Sequence, residues 1–265
     1  MTGKSDRLSE IDILTGRLRS AGCVFAEDEA DALLRAAPDL QQREQLTQRR
    51  ERGEPLEHLL GSVGFGSLRL AVGPGVFVPR QRSLLLARLA IQHAQAHPEP
   101  VLLEAFAGVA PIASAAGHTL PAVEIHASDI DAHALAYARR NLPAQADVHH
   151  GPLLDATPVA LLGRVCVLAA VPPYVPVGAA ELLPREARNH EPAHALYGGQ
   201  DGLDHVRNLL DQARPWLAPA GRVLLELNAQ QHDVAVSHAA QVGLGRPRRH
   251  AGQDGQTIVL DLLST

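Results

Sequence analysis

From about residue 100 the chain alternates short apolar runs with helical stretches, and this alternation restricts the fold more than any other feature of the sequence. The runs VLLEA, AVEIHAS, ADVHH, RVCVLAA, GRVLLELN and QTIVLDL are short and rich in branched residues, which predicts strands. Before and between them ARLAIQHAQA, DAHALAYARRN, GLDHVRNLLDQARPWL and QHDVAVSHAA carry helical spacing. Strands that alternate with helices pair in parallel through crossovers, so the expected fold class is α/β with a doubly wound sheet.

The first third reads differently. Charges of both signs are dense there, and Leu8, Ile11, Leu14 and Leu18 recur at helical spacing behind a candidate cap at Ser5 or Asp6, with Gly22 as the stop. AEDEADALLRAA and LQQREQLTQRRERG predict two further helices that bury narrow stripes. In GFGSLRLAVGPGVFVPR, Phe65, Leu68, Leu70 and Val72 alternate. The Gly73-Pro74-Gly75 turn and a resumed alternation at Val76 and Val78 then predict a β-hairpin. The expected organisation is a helical domain over 1–60, a hairpin linker over 61–80 and an α/β domain over 81–265.

Composition removes several function classes. A net charge of −5 leaves no basic footprint for nucleic acid, and 4 Phe, 3 Tyr and 1 Trp cannot build a base-stacking platform. The uncharged stretch Val165–Ala180 is too short, and too broken by Pro172, Pro173 and Pro176, to span a membrane. The opening MTGKSDRLSEID is too charged for a signal peptide, so a cytoplasmic location is expected. Cys23 and Cys166 are far apart and form neither a disulfide framework nor a metal motif. The adjacent His149 and His150 point to opposite faces of a strand and His194 lies in a loop-like segment, so no metal site is expected.

Ligands of an open α/β sheet bind beyond the carboxyl ends of its strands, which singles out three loops. The first, EAFAGVAPIASAAG, follows VLLEA. The second begins at Asp129-Ile130-Asp131, and the third is Val171-Pro172-Pro173-Tyr174. A nucleotide-type site needs a tight turn at a helix N-terminus and an acid at the end of the next strand to accept ribose hydroxyls. Asp129 stands 21 residues beyond Gly108, the spacing such an acid takes, and the same spacing equally suits a helix cap. Asp201 and Asp204 read as caps of the helix in GLDHVRNLL, and Cys166 as a small core residue.

RRERGEPLEHLLG, PGVFVPR, PPYVP, REARNHEPAHALYGGQDGLDHVR and the later Ala218-Pro219-Ala220-Gly221 occur in an order that resembles the release-factor glutamine methyltransferases over almost the whole chain. The resemblance implies a class I S-adenosylmethionine (SAM)-dependent methyltransferase fold, a Rossmann-like, mostly parallel sheet of seven strands behind a helical substrate-recognition domain. It implies a cytoplasmic enzyme that methylates a glutamine amide of a release-factor-like protein. Glu104, Phe106, Ala107, Gly108, Val109 and Ala110 take the place of the family's cofactor turn. Asp129 and Ile130 take the place of the ribose acid and its neighbour, Pro152 and Leu153 lie near the adenine, and Val171, Pro172, Pro173 and Tyr174 form the catalytic loop.

The sequence departs from the family at chemically important points. Phe106 and Ala110 stand for two glycines of the turn, Pro152 stands for an aspartate, and Val171 stands for the loop asparagine. An amide nitrogen is a weak nucleophile that the family aims with two hydrogen-bond acceptors, the asparagine side chain and a proline carbonyl. Valine supplies none, so an altered acceptor is expected, either on a protein or on a small molecule. Two other readings stand beside this one: a methyltransferase fold turned to another reaction on a metabolite, and a non-catalytic binding descendant.

Overall fold

The computed structural model describes residues 2–264. Four helices open the chain: α1 (Thr2–Ser20), α2 (Ala26–Ala36), α3 (Leu40–Glu51) and α4 (Leu56–Leu60). A two-stranded hairpin follows, β1 (Ser62–Phe65) and β2 (Leu68–Ala71). The remaining elements are α5 (Leu84–Gln95), β3 (Val101–Ala105), α6 (Pro111–Thr119), β4 (Glu124–Asp129), α7 (Ala132–Asn141), β5 (Asp147–His150) and β6 (Val165–Ala170). The chain then runs through α8 (Arg185–His190), α9 (Asp204–Ala213), β7 (Leu217–Asn228), α10 (His232–Gln241), β8 (Leu244–Ala251) and β9 (Thr257–Ser264).

The large sheet has seven strands in the order β5-β4-β3-β6-β7-β9-β8. Its first five strands are parallel neighbours, while β9 runs antiparallel to both β7 and β8. The chain winds outward from β3 to β4 and β5, then returns to lay β6 against the other side of β3. The topological switch therefore falls between β3 and β6, and a cleft opens at their carboxyl ends. Register aligns Ala105 with both Ser128 and Ala170, which brings the three candidate loops to one end of the sheet.

Every residue of β3 and β6 is buried, which explains why these strands read as unbroken apolar runs. One face of the sheet is covered by α5, α6 and α7 through Leu86, Ile112 and Leu135, and the other by α9 and α10 through Leu209, Leu210 and Ala239. The N-terminal helices bury a separate cluster that includes Leu14, Leu18, Ala30 and Leu33. Arg50 ties this cluster to the rest of the chain. Its guanidinium holds Glu29 at 2.5 Å and Glu186 of α8 at 2.9 Å.

The structure corrects several expectations. The hairpin turns at Gly66, where φ is +58°, and its second strand is Leu68–Ala71. Gly73-Pro74-Gly75 comes after that strand, and Val76 and Val78 are buried without forming one. Helix α1 begins at Thr2, ahead of the expected cap at Ser5 or Asp6, although Gly22 does follow its end with φ +92°. PIASAAGHT is a helix rather than loop, started by Pro111 in its first turn. Strand β8, LGRPRRHA, was not expected at all. No helix among the described residues is long and apolar enough to cross a membrane.

Candidate active site

A cavity of about 1050 Å³ lies at the carboxyl ends of β3, β4 and β6. Of the residues singled out from sequence, Glu104, Phe106, Ala107, Gly108, Val109, Asp129, Ile130, Pro152, Leu153, Val171, Pro172, Pro173 and Tyr174 all line it. Ala110 does not. It is fully buried behind the wall, directly ahead of α6.

The turn after β3 has kept a glycine-type backbone with only one of its three glycines. Phe106, Gly108 and Ala110 have φ of +52°, +55° and +58°, the left-handed region that a side chain ordinarily makes costly. These are the three places where the family motif has glycine. The Phe106 ring packs toward α9, edge-on to His205 with centroids 5.7 Å apart, so its bulk leaves the cavity open.

Asp129 fixes this turn. Its Oδ2 accepts the Gly108 N–H at 2.7 Å and its Oδ1 accepts the Asp131 N–H at 2.8 Å. Burial raises its carboxyl above the ordinary value, against these two bonds. Asp131, not Asp129, caps α7 by accepting the N–H of His133. Since a carboxylate offers about four acceptor sites, Asp129 retains capacity for hydroxyl donors. Beside it Ile130 is 59% exposed although it lines the cleft. Leu153 approaches with φ of +50°, its carbonyl held by the Ser128 hydroxyl at 2.5 Å.

Glu104 faces the helix instead of the cleft centre. Its carboxylate accepts the Ile112 N–H at 3.3 Å and the Ala113 N–H at 2.7 Å, filling the N-terminus of α6. Complete burial pushes this carboxyl up to about 8.

Several residues that hold the Val171-Pro172-Pro173-Tyr174 loop were not anticipated. Gln231 donates to the Tyr174 carbonyl at 2.9 Å and to the Asp201 carbonyl at 3.1 Å, while its own carbonyl accepts the Asn228 N–H at 3.1 Å. A Cβ on Gly198 would stand 2.3 Å from the Pro173 oxygen, and one on Gly202 2.2 Å from the Tyr174 oxygen. The Gly-Gly-x-Asp-Gly segment is thus a close-fitting bracket for Pro173 and Tyr174. Asp201 accepts the Leu203 N–H at 3.0 Å just ahead of α9, and both Asp201 and Asp204 pair with Arg207. Arg80 grips the buried Glu191 at 2.6 Å, and Arg82 reaches the buried Glu226 at 3.3 Å, where the Tyr174 hydroxyl also donates. Burial raises the Tyr174 phenol. Motif order could have pointed to Arg80 and Glu191. Nothing in the sequence marked Gln231 or Glu226.

Cys166 lies in β6 with its thiol 3.2 Å from the Val101 carbonyl, and burial raises it. His149 stacks on His126, whereas His150 bonds the Ile130 carbonyl at 3.0 Å. Among the described residues no group of three or more His, Cys, Asp or Glu is arranged to hold a metal ion.

Seven strands in this order, with a turn after β3 bonded to an acid at the end of β4, define the class I SAM-dependent methyltransferase fold. Solved structures agree on the fold. A ribosomal protein L11 methylase from Lactobacillus delbrueckii subsp. bulgaricus matches with a TM-score of 0.51 at 17% identity, covering 72% of this chain and 82% of that one. A methyltransferase from Pyrococcus furiosus matches with a TM-score of 0.50 at 17% identity, covering 74% and 89%. No family model matches. The chain belongs to the release factor glutamine methyltransferase family. It is 35% identical to the Streptomyces coelicolor member over 83% of this chain and 84% of that protein, and 38% identical to the Mycobacterium leprae member over 71% and 65%. The Moorella thermoacetica member is 33% identical over 79% and 76%.

Proposed function

We propose that the cleft binds SAM with the ribose on Asp129, the adenine between Ile130 and Leu153 beside Pro152, and the methionine part along Phe106, Ala107, Gly108 and Val109. The acceptor enters beside Val171, Pro172, Pro173 and Tyr174, carried on a release-factor-like polypeptide in the cytoplasm. The observation that carries this reading is the bond from Gly108 to Asp129, made on a turn whose backbone stays left-handed at all three motif positions. Bound there, the cofactor supplies an electrophilic methyl group on a sulfonium. The chain's own part is positioning: Asp129 takes hydroxyls, Ile130 and Leu153 flank a flat ring, and the bracketed loop holds the acceptor in line.

Val171 sets the limit of this activity. It lines the cleft where an acceptor oxygen is needed, and an amide N–H left unpaired there costs about 1–3 kcal/mol. Glutamine methylation is therefore expected to be slow in this chain, and a small-molecule acceptor stands as the second reading. Incubation of a release factor with labelled SAM decides between them. Val171→Asn is expected to raise label on glutamine by about 10²-fold, the scale of one positioned polar group. An unchanged rate means that the acceptor is not an amide.

A further inference from the structure

A side chain from the loop after α8 meets one from the loop after β4 at the cleft. His194, in the short 3₁₀ helix Ala193–Ala195, places its Nε2 3.3 Å from Asp131 Oδ2, and both residues line the cleft. Neither partner is loosely held. Asp131 is fixed by capping α7, its Oδ1 accepting the N–H groups of His133 at 2.8 Å and Ala134 at 3.3 Å. The segment of His194 is fixed on both sides, by Glu191 on Arg80 at 2.6 Å and by the Leu196 carbonyl, which accepts the Val175 N–H at 3.1 Å.

Next to this pair lie Asp129 and Ile130. An isoleucine that is 59% exposed inside a concave cleft offers apolar surface to a ligand. The His194 imidazole also draws the Asp129 carboxyl downward, although burial outweighs it, so the ring is in electrostatic reach of the proposed ribose acid. The segment Glu191-Pro192-x-x-Ala195-Leu196 leaves position 194 undetermined, so the family resemblance assigns this residue nothing.

We infer that His194 is a further cofactor-binding residue, which pairs with Asp131 across the nucleoside slot and retains an adenosyl group lying over Asp129 and Ile130. The inference rests on the reading that the cleft takes SAM. It gives the loop after α8 a role in holding cofactor as well as in bracketing the catalytic loop.

The test uses S-adenosylhomocysteine titrated into the full chain by calorimetry, with release followed by competition against labelled SAM. The wild type is compared with His194→Ala, Asp131→Asn and the double variant; asparagine keeps an oxygen for the helix cap and loses the charge. His194 is 53% exposed, which screens the pair, so each single substitution is expected to weaken binding about two- to fivefold and to speed release by a similar factor. Because both act on one contact, the double variant is expected to bind no worse than the weaker single one. Without ligand, His194→Ala is expected to melt like the wild type. An unchanged affinity in His194→Ala, or effects that multiply in the double variant, overturns the inference and leaves the cofactor reading standing. A wild type that binds no S-adenosylhomocysteine overturns both.

Discussion

Asp129 and Gly108 join the ends of β4 and β3 through one hydrogen bond of 2.7 Å from the Gly108 N–H to the Asp129 carboxylate. The proposed ribose acid and the turn proposed to hold the cofactor are therefore one unit, and a change at either is felt at the other. Asp129→Ala removes the hydroxyl acceptor and leaves the Gly108 N–H without its partner. S-adenosylhomocysteine affinity is expected to fall more than tenfold, and stability by about 1–3 kcal/mol, read by calorimetry and thermal melting. Asp129→Asn keeps one acceptor oxygen and is expected to lose less of both.

The bracket around Pro173 and Tyr174 tolerates no added atom. At Gly202, φ is +78° and a Cβ would meet the Tyr174 oxygen at 2.2 Å and Gln231 Nε2 at 2.6 Å. Gly202→Ala is expected to cost more than about 2 kcal/mol, combining backbone strain with a displaced loop. Gly108→Ala is the contrast: φ is +55° but its Cβ would meet nothing within 4 Å. Its cost is expected to stay near 1 kcal/mol in chemical denaturation.

Glu104 gives stability a definite pH slope. Its folded carboxyl is raised from 4.5 to about 8 by burial, so between those values the folded chain binds a proton that the unfolded chain has released. This contribution is complete below about pH 4.5 and is lost as pH rises through 8. Glu104→Gln stays neutral and is expected to gain on the wild type by roughly 3–4 kcal/mol between pH 5 and pH 8, measured by urea unfolding at each pH. Parallel pH profiles for the two proteins would contradict it.

Arg50 anchors the helical unit through a buried network. Its side chain and that of Glu29 are 9% and 10% exposed, and it also bonds the Glu54 carbonyl at 3.1 Å. Arg50→Met strands the Glu29 charge and is expected to destabilise by about 3 kcal/mol in thermal melting, whereas Arg50→Met with Glu29→Leu recovers most of the loss. A double variant as unstable as the single one would mean that packing, not charge, carries the effect.

The sequence made the parallel strands legible because burial on both faces leaves runs such as Val165–Ala170 with no polar interruption. Strand β8 was hidden by the opposite circumstance. It is an edge strand, exposed at Arg246, Pro247, Arg248 and Arg249, and carries the charges and proline that edges tolerate. The hairpin was misplaced because Gly73-Pro74-Gly75 is a stronger turn signal than Gly66-Ser67, although the latter closes the register at Phe65 and Leu68. In the site, loop membership followed from strand ends and motif order. Sequence presented Phe106 and Ala110 as losses, and the left-handed backbone that both adopt came into view only in three dimensions. Gln231, Glu226 and His194 act through contacts with residues far along the chain, which no local pattern encodes.

Calorimetric titration of SAM into the wild-type chain is the most direct measurement, since positioning of a methyl donor in this cleft depends on an adenosyl group fitting against Asp129 and the turn at Gly108. The expected result is one site per chain with a dissociation constant of about 1–100 μM, a free energy within the range of small cofactor sites, and its loss in Asp129→Ala. Binding weaker than about 1 mM, or binding of equal strength in Asp129→Ala, would contradict it.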